Sequence, residues 1–546
     1  MTFAYSSRGN KISPFGRDDR FIEHLRARVD CRGGIARRTW LSGTGLPGVF
    51  SQNIKRSRRM TRIVDIAEQP LFLERYLVHP ELRNQIQLLK EKASPIAARC
   101  KDRCIWMINS AARGGGVAEM MPSIITFLRA LGFSAKWAVI ETENQDFFAL
   151  TKRIHNLTHG VTQVSRDFSE NDYRLFEEVN RQNAMQIEQA IKPQDILILH
   201  DPQVLPLGNL LSQALGIKFL WRCHIGTNRK NTSTEAVWDF LQPFFENCVG
   251  AIFTAREYAP EYLQDRITII HPAIDPLTDK NRHLSFTEIV EILCAGGLVP
   301  APHPVAIADF SHRARQISTD GRLQDCEDNG LFYRPTVLQI SRWDRLKGWN
   351  HLLEGFARMK RELQRSGANT AENRFPLLAR LILAGPDPAY ILDDIEGAAA
   401  FEEIRQMFVS LDPDIQSDVT VYLLPMASHS ENALIVNALQ RIASVVVQNS
   451  IEEAFGLTVE EALWKGRPVL VSTAFGLRLQ IDDGVNGVFV DATDAKQISK
   501  RLLELLATPQ HRSALGEMAK YLTVDNALIF NKISKYIDVL SLLVNT

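Results

Sequence analysis

The sequence predicts an α/β fold of two doubly wound sheets, each with helices on both faces. From about Arg103 onward, short β-rich runs alternate with amphipathic helical patterns, as expected of parallel strands joined by crossover helices. The runs fall into two series, and 546 residues exceed what one hydrophobic core usually fills.

Taken in order, the first 63 residues carry 14 Lys/Arg against 4 Asp/Glu, with few apolar clusters, and read as a disordered basic extension. The first series of strands is expected at 104–109, 136–140, 195–200, 218–222, 251–254 and 268–270. Residues 294–334 are rich in Pro, Gly, His and Asp, have weak periodicity, and read as a linker or insertion. The second series is expected at 336–340, 379–384, 420–424, 444–448, 468–471 and 488–490. Residues 497–506 and 515–523 look helical, and 529–543 form a candidate terminal helix. The expected division is an extension (1–63), a first domain (64–293), the linker (294–334), a second domain (335–520) and a terminal helix (521–546).

Composition excludes several classes of function. Lys+Arg and Asp+Glu balance at 63 each, so no global field favours nucleic acid. Hydrophobic content of 45% and charged content of 23% are ordinary for a soluble enzyme. The seven cysteines are scattered without a C-x-x-C pair, which argues for reduced thiols, no structural zinc and a cytoplasmic location. No apolar run reaches the ~18 residues of a membrane span, and no apolar signal core opens the chain.

The most informative segment is S-I-E-E-A-F-G-L-T-V-E-E-A-L-W-K-G, residues 450–466. It sets Glu453 and Glu461 eight positions apart around Phe455-Gly456-Leu457, just after the apolar run 445–447. A strand, a loop and a helix opening near Gly456 would present free backbone N–H groups to an anion. If the whole segment were helical, the two carboxylates would lie roughly 12 Å apart on nearly one face. An isolated E-x7-E is more commonly a surface helix, so context decides. Arg342 and Lys347, in Q-I-S-R-W-D-R-L-K-G-W, follow the first strand of the second series. The C-terminal end of such a strand faces the ligand crevice, where two cations can offset a leaving diphosphate. Gly114, Gly115 and Gly116 follow the first strand of the first series, a loop whose backbone can approach a phosphate or sugar. Asp412-Pro-Asp414 mimics a metal-binding D-x-D but reads as a turn.

The 450–466 segment resembles the E-x7-E signature of retaining glycosyltransferases of family 4. Further along the chain, A-R-G-G-G-V-A-E-M, D-F-F-A-L-T-K-R-I-H-N-L-T-H-G, I-L-H-D-P-Q, F-L-W-R-C-H-I, H-P-A-I-D-P-L, Q-I-S-R-W-D and N-A-L-Q-R-I-A resemble segments of nucleotide-sugar-dependent trehalose synthases, in the same order. The resemblance covers about residues 70–540. It implies two facing Rossmann-like domains, the GT-B fold, with a C-terminal helix that crosses back to the first. It also implies transfer of glucose from a nucleoside-diphosphate glucose to a sugar acceptor, with retention and without a metal or other cofactor. The acceptor implied is glucose and the product trehalose. By the same resemblance His224, Arg342, Lys347 and Glu453 would be catalytic. Gly115, Gly116, Arg342, Lys347, Glu453, Phe455, Gly456, Leu457 and Glu461 would hold the donor. Lys152, His155, Asp201, Gln203 and His224 would face the acceptor. One position departs from the family: Gly226 stands where trehalose synthases have Asp. Three alternatives stay open: a trehalose phosphorylase, a glucosyltransferase with another acceptor, and a non-catalytic sugar-nucleotide sensor. Expected partners are a nucleotide sugar and a small sugar, with no nucleic acid or membrane, and homodimerisation is left open.

Overall fold

The computed structural model describes residues 61–64, 73–112, 116–301, 306, 310–366, 370–390 and 395–545. Residues 1–60 and Gly114–Gly115 lie outside these residues, whereas Arg62 and Ile63, expected within the extension, begin the first strand of the sheet. The first sheet comprises β1 (Arg62–Val64), β2 (Cys104–Asn109), β3 (Ser134–Val139), β4 (Ile196–His200), β5 (Phe219–Arg222), β6 (Cys248–Phe253) and β7 (Ile267–Ile269), in the order β1-β3-β2-β4-β5-β6-β7. All neighbours are parallel except β1 with β3. Strand order reverses between β2 and β4, so their C-terminal ends open a crevice.

The second sheet comprises β8 (Arg315–Ile317), β9 (Leu323–Asp325), β10 (Thr336–Ile340), β11 (Arg380–Pro386), β12 (Val419–Leu424), β13 (Val445–Gln448), β14 (Val469–Ser472) and β15 (Val488–Val490). Its order is β15-β14-β13-β10-β11-β12-β8-β9. Here the reversal lies between β10 and β13, which pair in parallel through Val337↔Val445 and Leu338↔Val446. Val445, Val446 and Val447 are all buried, because helices cover both faces of a parallel sheet.

Residues 294–334, expected as a linker or insertion, contain the β8–β9 hairpin, which adds antiparallel strands to the edge of this sheet at β12. Both strands are only three residues long, and neither carries an apolar alternation that would mark it in sequence. Leu298, Ala314 and Leu331 pack into the same core as Leu338 and Ile382.

The terminal helix Ile529–Asn545 returns to the first lobe. Phe530, Ile533, Ile537 and Leu540 share one core with Leu82, Ile86 and Leu89 of helix Pro80–Arg99. The crossing is fixed by backbone bonds on either side of Ile274: its N–H donates to Ala527 O at 3.1 Å, and its carbonyl accepts from Ile529 N at 2.9 Å. Each buried aliphatic side chain on this helix contributes about 1.5–3 kcal/mol of burial.

Candidate active site

The loops after β10 and β13 meet at the reversal of the second sheet. Gln339, fully buried on β10, ties them together. Its Nε2 donates to Lys347 O at 2.9 Å, and its Oε1 accepts from Asn449 N at 2.9 Å. Asn449 in turn donates to Gly348 O at 3.0 Å and Ala492 O at 2.9 Å. Two loops more than a hundred residues apart in sequence are thereby held in one geometry.

On this base Lys347 Nζ donates to Glu453 Oε2 at 2.6 Å, and Ser450 Oγ donates to the same oxygen at 3.0 Å. The side chains are 15% and 14% exposed, so the pair is shielded yet reachable. Helix Leu457–Trp464 opens four residues later. Its capping position is Gly456, at φ 92°, with no side-chain cap, so the first N–H groups stay open to an anion. Only glycine fits: a Cβ here would lie 2.7 Å from Leu477 Cδ2 and 3.2 Å from Glu453 Cγ.

The strand, loop and helix expected around Gly456 are formed, and the whole segment is not one helix. Glu453 lies in the loop and only Glu461 lies in the helix, because the left-handed Gly456 starts the helix after Glu453. Glu461 is 4% exposed; Oε1 sits 3.6 Å from Lys280 Nζ and Oε2 has no hydrogen-bond partner among the described residues. Phe455 is buried, and its ring centroid lies 5.8 Å from that of His271.

Arg342 is exposed directly after β10, its carbonyl accepting from Trp349 Nε1 at 3.2 Å. Across the cleft, helix Gln145–Thr158 presents Lys152 and His155. The rings of His155 and His159 are 4.6 Å apart. Burial lowers both, and nearby positive groups lower them further: His155 falls to about 3 beside His159, Arg342 and Lys152. His159 falls to about 4, with Lys347 adding to the effect of burial. Both are neutral at physiological pH. These couplings bring Arg342 and Lys347 of the second lobe up to the first.

Contacts around the site loop tie the lobes directly. Tyr258 Oη donates to Ala454 O at 2.8 Å, and Arg229 pairs with Glu452. Tyr258 also accounts for Gly226: a Cβ there would stand 2.6 Å from Tyr258 Cβ and Cγ. An Asp at 226 has no room in this packing.

At the reversal of the first sheet, Asp201 takes φ 66°, the one positive φ of a non-glycine residue among those described. Its Oδ1 accepts from His224 N at 2.7 Å. Desolvation of the half-buried Asp201 pushes it up to about 6. His224 Nε2 lies 2.9 Å from His200 Nδ1, the two rings stacked 5.2 Å apart. Burial and the Arg222 guanidinium hold both imidazoles well below the usual histidine range. His224 Nδ1 and Gln203 Oε1 are buried without hydrogen-bond partners among the described residues. Gly116 begins helix Gly116–Ala130, exposed, with open space where a Cβ would go. Gly115 lies outside the described residues.

The structure thus gathers Arg342, Lys347, Glu453, Gly456, His155 and Lys152 at one gap, and gathers Asp201, Gln203 and His224 at the neighbouring strand ends. Asp412 instead precedes a four-residue helix without a side-chain capping bond and accepts from Arg361 Nε at 3.0 Å. Among the described residues no cluster of three or more His, Cys, Asp or Glu is arranged to hold a metal. Sequence reasoning missed His159, Tyr258, Lys280 and His200. His159 had a signal, four residues from His155 on the same helical face; the others are brought in only by tertiary contacts.

Comparison with known proteins bears on the family and the fold. A family model described as glycosyl transferases group 1 matches residues 428–521, and one described as trehalose synthase, N-terminal domain, matches residues 107–260. Among solved structures, an α,α-trehalose-phosphate synthase (UDP-forming) from Burkholderia xenovorans superposes with TM-score 0.57 at 14% identity, over 80% of this chain and 100% of that one. A sucrose-phosphate synthase from Thermosynechococcus elongatus gives 0.53 at 15% identity, over 81% of this chain and 100% of that one. Two α/β lobes of this kind around one cleft define a glycosyltransferase of the GT-B class. Trehalose synthase of Pyrococcus horikoshii is 31% identical over 84% of this chain and 93% of its own length. That of Rubrobacter xylanophilus is 30% identical over 82% and 90%. The chain belongs to the trehalose synthase family. A trehalose phosphorylase of Grifola frondosa is more distant, 23% identical over 76% of this chain and 54% of its own.

Proposed function

We propose that the protein transfers glucose, with retention, from a nucleoside-diphosphate glucose to glucose, forming trehalose. The observation that carries this reading is the Lys347–Glu453 contact of 2.6 Å beside the open N-terminus of helix Leu457–Trp464. In this reading Arg342 and Lys347 offset charge on the departing diphosphate, and the helix N–H groups assist. Preorganised charges of this kind typically contribute about 3–4 kcal/mol each to the barrier. Glu453, oriented by Lys347 and Ser450, accepts hydroxyls of the transferred sugar, and Glu461 those of the ribose. Gly456 and Leu457 let the diphosphate approach the backbone, as Gly115 and Gly116 do from the first lobe. Lys152, His155, Asp201, Gln203 and His224 orient the acceptor. The departing phosphate oxygen takes the acceptor proton, and no metal or covalent nucleophile is assigned a part.

Six free cysteines among the described residues fit a reducing, cytoplasmic setting. No described helix is long and apolar enough to cross a membrane.

The test is an assay of nucleoside-diphosphate release from UDP-, ADP- and GDP-glucose with glucose as acceptor. At least one donor supports turnover, and Lys347→Ala abolishes it. Glucose 1-phosphate released from trehalose and phosphate, with all three nucleotide sugars inert, would replace this reading with the phosphorylase one.

A further inference from the structure

A cavity of about 720 Å³ lies at the opposite end of the Glu461 helix from Gly456. Residues 442–444, the turn 465–468 and one flank of helix Pro509–Asn526 line it. Its walls carry four basic side chains, Arg467, Arg512, Lys520 and the buried Lys465, whose Nζ is engaged by Glu461 O, Gln440 Oε1 and Asn281 Oδ1, against two carboxylates, Glu81 and Glu517. Arg467, Arg512 and Lys520 form no ion pair with a carboxylate of the described residues, and Glu517 is engaged by Ser513 Oγ at 3.1 Å.

Backbone contacts hold the two guanidinium groups in place. Arg467 Nη1 donates to Arg441 O at 2.9 Å. Arg512 Nη1 donates to Leu505 O and Leu506 O, each at 2.6 Å, and its guanidinium lies 4.4 Å from the centroid of the Phe375 ring. The Nη2 group of each has no hydrogen-bond partner among the described residues. Surface arginines are commonly solvated and mobile; these are fixed in advance, which lowers the entropic cost of binding an oxyanion. Lys520 is held near Trp464, 5.7 Å from its ring, and Tyr521, 65% exposed, stands on the rim. The volume suits a small metabolite, and planar guanidinium donors match phosphate oxygens.

We propose that this cavity binds a phosphorylated small metabolite through its phosphate group, at a site separate from the transfer cleft. Lys465, in the wall, donates to Glu461 O at 3.2 Å and Gln440 Oε1 at 2.7 Å, so the site abuts the end of the helix that carries Glu461.

Isothermal titration of the full chain with inorganic phosphate, glucose 6-phosphate and AMP tests this, in wild type and in Lys347→Ala, whose transfer cleft is impaired. At least one probe is expected to bind with 1:1 stoichiometry and similar affinity in both. Lys520→Glu changes an exposed helix position and should weaken binding about tenfold, about 1.4 kcal/mol, with the melting temperature preserved. Arg512→Gln should do the same. Equal affinity for all three probes means that the phosphate alone is read; a preference for one organic probe identifies what the rim adds. No binding by any probe, binding lost with Lys347→Ala, or binding unchanged in Lys520→Glu would each overturn the proposal.

Discussion

At the residue scale, the reactive geometry rests on a charge pair made by two loops. Lys347 and Glu453 are each mostly shielded, so the partner left behind by a single substitution is an underpaired charge in the cleft. Lys347→Ala and Glu453→Ala should each lower kcat/KM by at least about 10²-fold, while far-UV circular dichroism stays native. Gly456→Ala should be costly for a different reason. It forces a side chain into φ 92° against Leu477 and Glu453, so a loss of about 1–3 kcal/mol in unfolding free energy is expected by urea titration, together with reduced activity. Both carboxylates, both cations and the Phe455-Gly456 break were legible in the sequence, because they are local and closely spaced. The partners of these groups were not. Tyr258 and Lys280 reach the site through contacts spanning more than a hundred residues, and Gln339, though inside the motif that holds Arg342 and Lys347, shows its role only through its bond to Asn449.

At the scale of elements, strands β2, β10 and β15 fall where the mostly apolar runs place them, since strands of a helix-covered parallel sheet carry few polar residues. Strands β1, β8 and β9 have three residues each and leave none. The 450–466 segment teaches the same lesson: apolar spacing suits a helix, yet one left-handed glycine decides where it begins. Between elements, the Tyr258 hydroxyl joins the lobes at Ala454. Tyr258→Phe removes that bond without removing the ring against Phe475. A loss of about 1 kcal/mol, roughly fivefold in kcat/KM, is expected from initial rates, with little change in thermal midpoint.

For the whole molecule, the crossing terminal helix and the polar groups buried between the lobes make stability depend on pH. His155 and His159 titrate near 3 and 4 in the folded chain against 6.5 when exposed, and His200 and His224 also lie well below 6.5. As pH falls through 6.5 the unfolded chain takes up protons that the folded chain refuses, so stability falls toward pH 4. Asp201, whose folded value of about 6 exceeds the usual 3.8, opposes this, as do Asp275 and Glu460, also raised by burial. Burial lowers His271 to about 4 as well, so three carboxyls stand against five imidazoles. Urea midpoints should therefore drop between pH 7 and pH 5, and less so in a His200→Gln/His224→Gln variant. The alternation of runs made the two-sheet architecture legible, whereas the facing of the lobes and the depth of this buried cluster emerge only once the terminal helix has crossed back.

The central claim is that the cleft joins two glucose units with retention. Proton NMR of the product formed from nucleoside-diphosphate glucose and glucose tests it most directly. The expected result is a single symmetric disaccharide with both anomeric centres α. A β-linked product, or donor hydrolysis with no disaccharide from glucose, would contradict it.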